Sequence, residues 1–357
     1  MSKVSFDNTQ SVFFKAIKEK VDQYFIDHNL NPAGNWRLYA KGIFQVLTAV
    51  SLYVVLVFFT PAPWLSIILC GLLGINLALI GFNVMHEGGH QSFSKHSWIN
   101  NISAYSLNIL GGNSSYWKVK HNVNHHTYTN IEGLDSDIDV LPFMRLHDEQ
   151  PRYWFHRFQH IYWVLLYGIS YLVWIFYDDF QKYFSGKIAV HMEARKWKPK
   201  EHFVFWFTKL AYVGVYVVLP IFMVGLADAL IGFIIITFIC GLFISIVFQL
   251  AHVVQGTQFP APNQHSNKIE SEWAIHQVTT TANFATRSKM LYWLLGGLNF
   301  QIEHHLFPRI SHIHYPQVSK FVKEVCKEYD VAYVEYSSMF KAFYSHLVHL
   351  RRLGMAQ

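Results

Sequence analysis

Charged residues and cysteines are scarce in this chain of 357 residues. Asp, Glu, Lys and Arg make up 15% of the sequence, against about 25% in an average globular protein. The three cysteines, Cys70, Cys240 and Cys326, lie far apart and show no CxxC spacing. The low charge argues against a disordered chain and against an ordinary soluble enzyme. The cysteine pattern indicates neither a disulfide framework nor a thiolate metal site.

The net charge of +6 is not accompanied by a basic patch of the kind that binds nucleic acid. No run of Lys and Arg is long enough, or mixed with enough aromatic residues, to predict such a surface. In a membrane protein, basic residues more often mark the cytoplasmic loops. The first 39 residues are polar with mixed charge, so we expect no cleavable signal peptide.

Hydrophobic residues make up 52% of the chain and are concentrated in long blocks. Gly42 to Phe59 and Trp64 to Met85 flank a Pro-Ala-Pro break, and Phe203 to Val224 and Ala227 to Ala251 are almost continuous. Each block is long enough to cross a bilayer as a helix, which needs about 20 residues. We therefore predict an all-α polytopic membrane protein with four transmembrane helices in two hairpins, interfacial helices and a cytosolic helical cap that binds metal.

This prediction divides the chain into three parts. Residues 1–39 form a cytosolic N-terminal segment, and residues 40–335 form the membrane domain. Residues 336–357 form a cytosolic amphipathic tail, because their apolar residues follow helical spacing between exposed basic ones.

The uncharged block from Ile161 to Tyr177 is ambiguous, because it has only 17 residues and is rich in Tyr and Trp. The segment after it is basic, with Lys182, Lys187, Arg195, Lys196, Lys198 and Lys200. A crossing would place this basic segment outside, against the positive-inside rule. We expect the block to lie in the membrane interface, with both termini and the active site on the cytoplasmic side.

Histidine is abundant, with 21 residues against 23 Asp plus Glu. Three histidine clusters stand beside the apolar blocks, and none lies in the middle of one. An even number of crossings separates them, so they face the same side of the membrane. The clusters are His86-Glu-Gly-Gly-His90, His121-Asn-Val-Asn-His125-His126 and Gln301-Ile-Glu-His304-His305.

The spacing within these clusters favours two metal ions. Residues i and i+4 of a helix lie on one face, so His86 with His90, and His121 with His125, can each converge on one point. An adjacent pair such as His304 and His305 diverges by about 100°, which suits two neighbouring ions. Imidazoles without thiolates suit Fe, Zn, Cu or Ni. A di-iron centre can use O2 to oxidise an unactivated C–H bond, and the apolar helices favour a lipid substrate.

The three clusters resemble the histidine boxes of the membrane fatty-acid desaturases. The third, with Gln301 in place of a first histidine and the continuation Leu306-Phe307-Pro308, is similar to that of the front-end, delta-6-type desaturases. Two further stretches match the same group: HEGGHQSFS from His86, and HNVNHHTYTNIEGLDSDID from His121. The resemblance covers roughly residues 40 to 335.

The resemblance implies an O2-dependent di-iron enzyme that inserts a cis double bond between an existing double bond and the carboxyl end of an acyl chain. Its substrate would be a fatty acyl lipid or acyl-CoA. The chain lacks the His-Pro-Gly-Gly pattern of a fused cytochrome b5 domain, so we expect a separate electron donor, either cytochrome b5 or ferredoxin.

The family's iron ligands carry over to specific residues of this chain. The box ligands are His86, His90, His121, His125, His126, His304 and His305, and His252 near the end of the last apolar block would be a further one. Residues expected to support the ligands are Glu87, Gln301, Asp135, Asp137 and His312. Glu87 stands where Asp is commoner in the family, and we expect it to hold an imidazole by a hydrogen bond.

Other interpretations account for parts of the pattern. HEGGH also satisfies the zinc-protease motif HExxH, but that site does not need the other two clusters. Asp135, Asp137 and Asp139 resemble the start of an EF-hand loop, which is excluded because Val140 and Leu146 stand where Gly and Glu are required. A membrane di-iron hydroxylase or monooxygenase would use the same boxes. A metal transporter is less favoured, because transport sites lie near the bilayer midplane.

Overall fold

The chain is almost entirely helical over residues 4–9, 11–189 and 191–356, which the computed structural model describes. Several helices, α2, α3, α5, α6 and α7, run continuously through segments with different hydrogen bonding. The helices are α1 (Val12–Asp27), α2 (Trp36–Phe59), α3 (Pro63–Gly89), α4 (Ser97–Ile109), α5 (Ser114–Lys118, Val119–His125 and His126–Tyr128), α6 (Trp154–Ser185), α7 (Pro199–Val224), α8 (Leu226–His252), α9 (Trp273–Thr279), α10 (Lys289–Leu294), α11 (Gln301–Leu306), α12 (Tyr315–Glu328, after one turn at His312–His314) and α13 (Met339–Met355).

Local sequence signals explain where the apolar helices begin. The side chain of Asn35 accepts a hydrogen bond from the backbone N–H of Arg37 at the start of α2. Helices α3 and α7 each begin at a proline, whose missing N–H costs nothing at a first helical position. Gly225 alone separates α7 from α8 and adopts φ +88°, a conformation that glycine reaches without strain.

Helices α8 and α3 pack against each other in parallel. Gly232 of α8 lies beside Cys70, and the carbonyl of Ile236 lies beside Gly74. A Cβ on Gly74 would stand 2.6 Å from that carbonyl oxygen, so the two backbones approach closely. The parallel direction brings the ends of α3 and α8 to the same level.

Helix α6 packs against the middle of α8 through a second pair of glycines. A Cβ on Gly241 would lie 2.6 Å from the carbonyl oxygen of Gly168, and a Cβ on Gly168 would overlap the ring of Phe238. One turn further along, the hydroxyls of Ser170 and Ser245 are 2.8 Å apart. Small residues thus allow close backbone contact, as in membrane helix pairs.

Large apolar side chains cover the outer surfaces of these helices. Phe44 and Leu47 on α2, and Phe207, Leu210 and Phe222 on α7, are mostly exposed. A soluble protein rarely exposes so continuous an apolar surface. Five helices, α2, α3, α6, α7 and α8, are long and apolar enough to cross a membrane. The fold is therefore that of a multi-pass membrane protein, as predicted.

The block from Ile161 to Tyr177 lies inside α6, which extends it at both ends. The sequence analysis missed this length, because the flanking residues are polar or charged. By length and composition α6 qualifies as a span, so the predicted number of four crossings stays a prediction, and so does the proposed division of the chain into three parts.

A second apolar cluster lies beside the membrane helices and joins distant parts of the chain. Phe13 and Ile17 of α1 pack with Val318 and Val322 of α12 and with Ile302 of α11. Two short parallel strand pairs tie the same region together. They are β1 (Ser5–Phe6) with β2 (Lys268–Ile269), and β3 (Asn283–Phe284) with β4 (Glu335–Tyr336). We call this region, with α9, the cap.

Helix α13 packs into the body of the protein. The hydroxyl of Tyr167 lies 2.8 Å from Nε2 of His346, and Leu350 and Leu353 are fully buried. The guanidinium of Arg145 donates to the carbonyl of Leu353 at 2.8 Å. These contacts hold α13 against α6 and against the segment that precedes α6.

The close contact of α6 with α8 leads to a stability prediction. In Gly241→Ala, the new methyl group would meet backbone atoms of α6, and overpacking of this kind costs about 1–3 kcal/mol. We expect a lower Tm for the purified protein in detergent. Gly71→Ala is the matched control, because nothing lies within 4 Å of that position. Equal Tm values for the two variants would contradict the close packing.

Candidate metal centre

Eight histidines from four helices converge at one end of the membrane helices. The end of α3 brings His86 and His90, α5 brings His121, His125 and His126, and α8 brings His252. His304 and His305 lie on α11. All the candidate ligands named from the sequence are therefore brought together, including His252, which stands outside the three clusters.

The first group of donors comprises His86, His90, His121 and His304. One ring nitrogen of each lies within 4.8 Å of one from every other member. Nε2 of His86 and Nε2 of His121 are 3.2 Å apart. Ligand nitrogens that are about 2 Å from a metal ion stand about 3 Å apart at neighbouring positions. This group therefore has the dimensions of a single metal site.

The second group comprises His125, His252 and His305, whose donor atoms also lie within 4.8 Å of one another. His126 lies between the two groups. Its Nε2 is 3.3 Å from Nε2 of His121, while its ring stacks on that of His305 with a centroid distance of 4.3 Å. Eight rings in two adjoining groups fit two neighbouring ions.

The position of His126 depends on a wide turn in α5. Residues Val119–His125 form i→i+5 hydrogen bonds in place of the usual i→i+4 pattern. A wide turn places residues five apart on one face, which brings His126 beside His121. The sequence analysis assumed a regular helix and therefore missed this contact. A similar wide turn, Gly81–Met85, directly precedes His86.

Buried ring nitrogens without protein partners show that these side chains fit a metal. Nε2 of His90, His125, His304 and His305 has no hydrogen-bond partner in the described part of the chain, and neither has Nδ1 of His126 and His252. A buried polar atom left unpaired costs about 1–3 kcal/mol. Two bound cations would satisfy the four Nε2 atoms, and the all-imidazole set suits a transition metal.

The opposite nitrogen of several rings is held by a neighbouring side chain. Nδ1 of His125 lies 3.0 Å from Asp135 and 3.6 Å from Asp137. Asp135 is itself fixed by the backbone N–H of Asn130 at 2.9 Å. A carboxylate in this position orients the ring and makes the other nitrogen a better ligand. Both aspartates therefore lie beside a candidate ligand, and their supporting role stays a prediction.

Two further rings have partners that the sequence analysis did not name. Nδ1 of His305 is 2.8 Å from Oε1 of Gln277, which also accepts from the hydroxyl of Thr129. Nδ1 of His304 is 3.1 Å from the hydroxyl of Tyr315. Gln277 belongs to a polar run before the third cluster, and Tyr315 follows that cluster. Their proximity to these rings depends on tertiary structure, so no local pattern singled them out.

The amide of Gln301 lies 3.0 Å from Nε2 of His252. Glu87 accepts two hydrogen bonds from His312, one from the backbone N–H at 2.9 Å and one from Nδ1 at 2.8 Å. Glu87 thus holds an imidazole, but it is that of His312, which is not among the eight candidate ligands. The pair links the first histidine cluster to the segment after the third.

The two glycines of the first cluster are required by close packing. A Cβ on Gly88 would lie 2.6 Å from the backbone nitrogen of Ala104, and one on Gly89 would overlap the ring of Trp117. That indole stacks on His121 with a centroid distance of 4.5 Å. Glycine at both positions therefore lets the end of α3 reach α4 and α5.

Burial keeps most of these rings in the neutral form that binds metals. It holds the pKa of His121, His126, His304 and His305 well below the usual value, and repulsion between neighbouring rings lowers it further. Burial also lowers the pKa of His125, but the carboxylate of Asp135 outweighs that effect and raises it. The site thus presents neutral imidazoles, with one ring supported by negative charge.

A cavity of about 300 Å³ connects the site to the membrane helices. His86, His121 and Gln301 line one part of it, and Trp117 stands beside them. Apolar and aromatic side chains from α3, α6 and α8 line much of the rest, among them Phe82, Leu166, Trp174, Ile244, Val247 and Phe248. An apolar molecule can therefore lie next to the histidines.

Comparison with known proteins agrees with this geometry. The profile of the fatty acid desaturase family matches residues 27–337. The sn-1 linoleoyl-lipid 6-desaturase of Synechocystis sp. is 35% identical, over 96% of this chain and 96% of its own length. The enzyme of the same name from Arthrospira platensis is 34% identical, over 99% and 95%. An acyl-lipid (8-3)-desaturase of Physcomitrium patens is 35% identical, over 97% and 72%.

These matches extend over nearly the whole chain and confirm the resemblance seen in the three histidine clusters. They also agree with an enzyme rather than a metal transporter. The chain belongs to the fatty acid desaturase family.

Proposed function

We propose that the protein is a front-end acyl-lipid desaturase that introduces a cis double bond on the carboxyl side of an existing one. The observation that carries this proposal is the assembly of eight histidines, with unpaired buried nitrogens, beside a cavity that an acyl chain can fill. The names of its relatives support lipid-linked acyl chains as substrates.

Two iron ions are the proposed cofactor. His86, His90, His121 and His304 would hold one ion, and His125, His252 and His305 the other, with His126 between them. When bound, the iron pair would supply the O2-dependent removal of two hydrogens from an unactivated acyl chain, for which the protein has no side chain of its own. Asp135, Asp137 and Gln277 would hold the rings in the tautomer that leaves the inner nitrogens free. Glu87 and His312 would fix the first cluster in place.

The protein would bind the acyl chain and exclude water from it. The cavity runs past His86 and His121 between α3, α6 and α8, and its apolar lining favours a hydrocarbon over water. Trp117 would form a wall beside the reacting carbons, since it contacts both histidines. Holding the chain in one orientation next to the metal is the main contribution of these residues to the rate.

Four crossings remain our proposal for the membrane layout. The ends of α3 and α8 meet at the histidines, and α7 leads into α8 through Gly225 alone. The end of α3 and the start of α7 therefore belong on one side. Because α6 is the long helix between them, a full crossing by α6 would separate them. Helices α2 with α3, and α7 with α8, would then form the two hairpins, while α6 lies along the membrane face.

We place the side of the membrane at which α3 and α8 end, with the histidines, in the cytoplasm, together with both termini. The segment between α6 and α7 carries Lys187, Arg195, Lys196 and Lys198, all exposed, and cytoplasmic loops are rich in such residues. Lys182, which the sequence analysis counted in the same basic segment, lies instead at the end of α6 and is buried. The family implies an electron donor, and we propose a separate cytochrome b5 or ferredoxin.

Product analysis tests the function directly. The protein would be expressed with a competent donor in a host fed linoleate, and the total fatty acids would be separated by gas chromatography and mass spectrometry. We expect a new cis double bond on the carboxyl side of the existing ones. The variant His305→Ala should lose both this product and bound iron, because one ligand of the second group is missing. A hydroxylated acyl chain would instead identify a hydroxylase, and a product from wild type without any bound iron would overturn the metal assignment.

Asp135→Asn tests the support of His125. The amide keeps an acceptor for Nδ1–H but removes the negative charge, and changes of this kind typically weaken metal binding by about 10–100-fold. Iron retention during a chelator titration should fall by that factor. The exposed Asp139→Asn serves as the control. Superimposable titration curves for the two variants would show that the carboxylate does not tune the site.

Charge reversal tests whether the basic segment guides an acidic donor. We expect the combined variant Lys187→Glu, Lys196→Glu and Lys198→Glu to lower donor-dependent turnover at low salt, because these exposed charges would steer the encounter. The difference from wild type should shrink near 0.5 M salt, where exposed charges are screened. Turnover driven by a small neutral reductant provides the control. Equal rates at low salt would exclude this surface as the docking site.

A further inference from the structure

The cavity beside the histidines has a charged end. Besides its apolar walls it is lined by four charged side chains, Lys120, Asp137, Asp178 and Lys182. Lys120 and Asp137 form an ion pair of 2.5 Å. The second oxygen of Asp137 lies 3.6 Å from Nδ1 of His125, so this end of the cavity adjoins the metal centre.

Lys182 differs from the other charged residues of the cavity, because it is 92% buried and lacks a direct partner. Its ammonium makes no hydrogen bond, and no ion pair within 4.0 Å, with any residue that the structure describes. The neighbouring Asp179 is occupied by Lys209 at 2.9 Å. A buried ammonium without an acceptor carries a desolvation penalty. An acceptor supplied by a ligand in the cavity would remove that penalty.

The charged side chains that line this end of the cavity balance. Two cations, Lys120 and Lys182, stand against two anions, Asp137 and Asp178, while Lys209 and Asp179 pair with each other. A polyphosphate head group needs a surplus of positive charge, which this end does not offer. A neutral acceptor, such as the carbonyl oxygen of an ester, can receive a hydrogen bond from Lys182 without disturbing the balance.

We propose that Lys182 donates a hydrogen bond to the ester carbonyl of the acyl lipid and so fixes the position of its carboxyl end. This inference rests on the proposed desaturase function and adds a residue that sets its regiochemistry. The hydrocarbon then runs past the histidines toward Phe82 and Ile244. Because the charged end adjoins the metal centre, few carbons separate the carbonyl from the reacting bond. The distance from the carboxyl end therefore determines which carbons receive the double bond.

The test compares Lys182→Met, Lys182→Arg and Lys341→Met in membranes supplied with a donor. Met keeps most of the volume of the lysine side chain, Arg keeps the charge and the donors, and Lys341 is an exposed control on α13. The substrates are a glycerolipid with an sn-1 linoleoyl ester and linoleoyl-CoA. The measurements are KM, kcat, the position of the new double bond and the iron content.

For Lys182→Met we expect a roughly ten-fold higher KM for the glycerolipid, as for the loss of one charge-assisted hydrogen bond. The same variant should also form products in which the double bond is shifted along the acyl chain, while its iron content stays at the wild-type value. Lys182→Arg should restore a single product, and Lys341→Met should behave as wild type.

An unchanged KM and a single product for Lys182→Met would overturn the inference. A defect confined to linoleoyl-CoA would also overturn it, because it would assign Lys182 to the phosphates. If wild type forms no double bond in either substrate, the proposed function itself fails, which is a distinguishable result.

Discussion

Four buried imidazole nitrogens without protein partners, Nε2 of His90, His125, His304 and His305, impose the constraint on which the rest of the structure depends. Each would cost about 1–3 kcal/mol if left unsatisfied, and together they would outweigh a large part of the stability of a typical domain. The chain nevertheless gathers these rings into two adjoining groups. Helices α3, α5, α8 and α11 all contribute histidines, so their packing is organised around a site that a pair of metal ions would satisfy.

The close approach of these helices follows from small residues at particular points. Gly88 and Gly89 let the end of α3 contact α4 and Trp117, and Gly74 and Gly241 let α8 contact its two neighbours. The same glycines lower helix propensity in isolation. The loss of helix propensity is offset by contacts that only the folded protein makes. These contacts place the histidine-bearing ends of the helices at one level.

The sequence predicted the chemistry of the site better than its geometry. Histidine spacing identified the clustered ligand candidates, because residue type and periodicity are local properties, whereas His252 was named only from the family resemblance. The wide turn in α5 that places His126 beside His121 depends on packing around the helix, so it left no clear signal. Gln277 and Tyr315 reach their imidazoles through the tertiary fold, and the sequence placed Lys182 in the basic segment after the apolar block. The long apolar blocks predicted the membrane helices, but composition alone did not reveal the full length of α6.

The third histidine cluster shows how the cap and the membrane helices depend on each other. Helix α11 has only six residues, too few to be stable alone. Its inner face carries Gln301, His304 and His305, while Ile302 and Leu306 pack with α1 and α12. Between them, the buried Glu303 is held by Asn283 and Tyr333 at 2.7 and 2.8 Å. Burial raises the pKa of this carboxyl to about 7, although both partners oppose the rise. Residues from both ends of the chain thus hold α11 against the histidines of the membrane helices, so the metal centre depends on the cap as much as on the membrane helices.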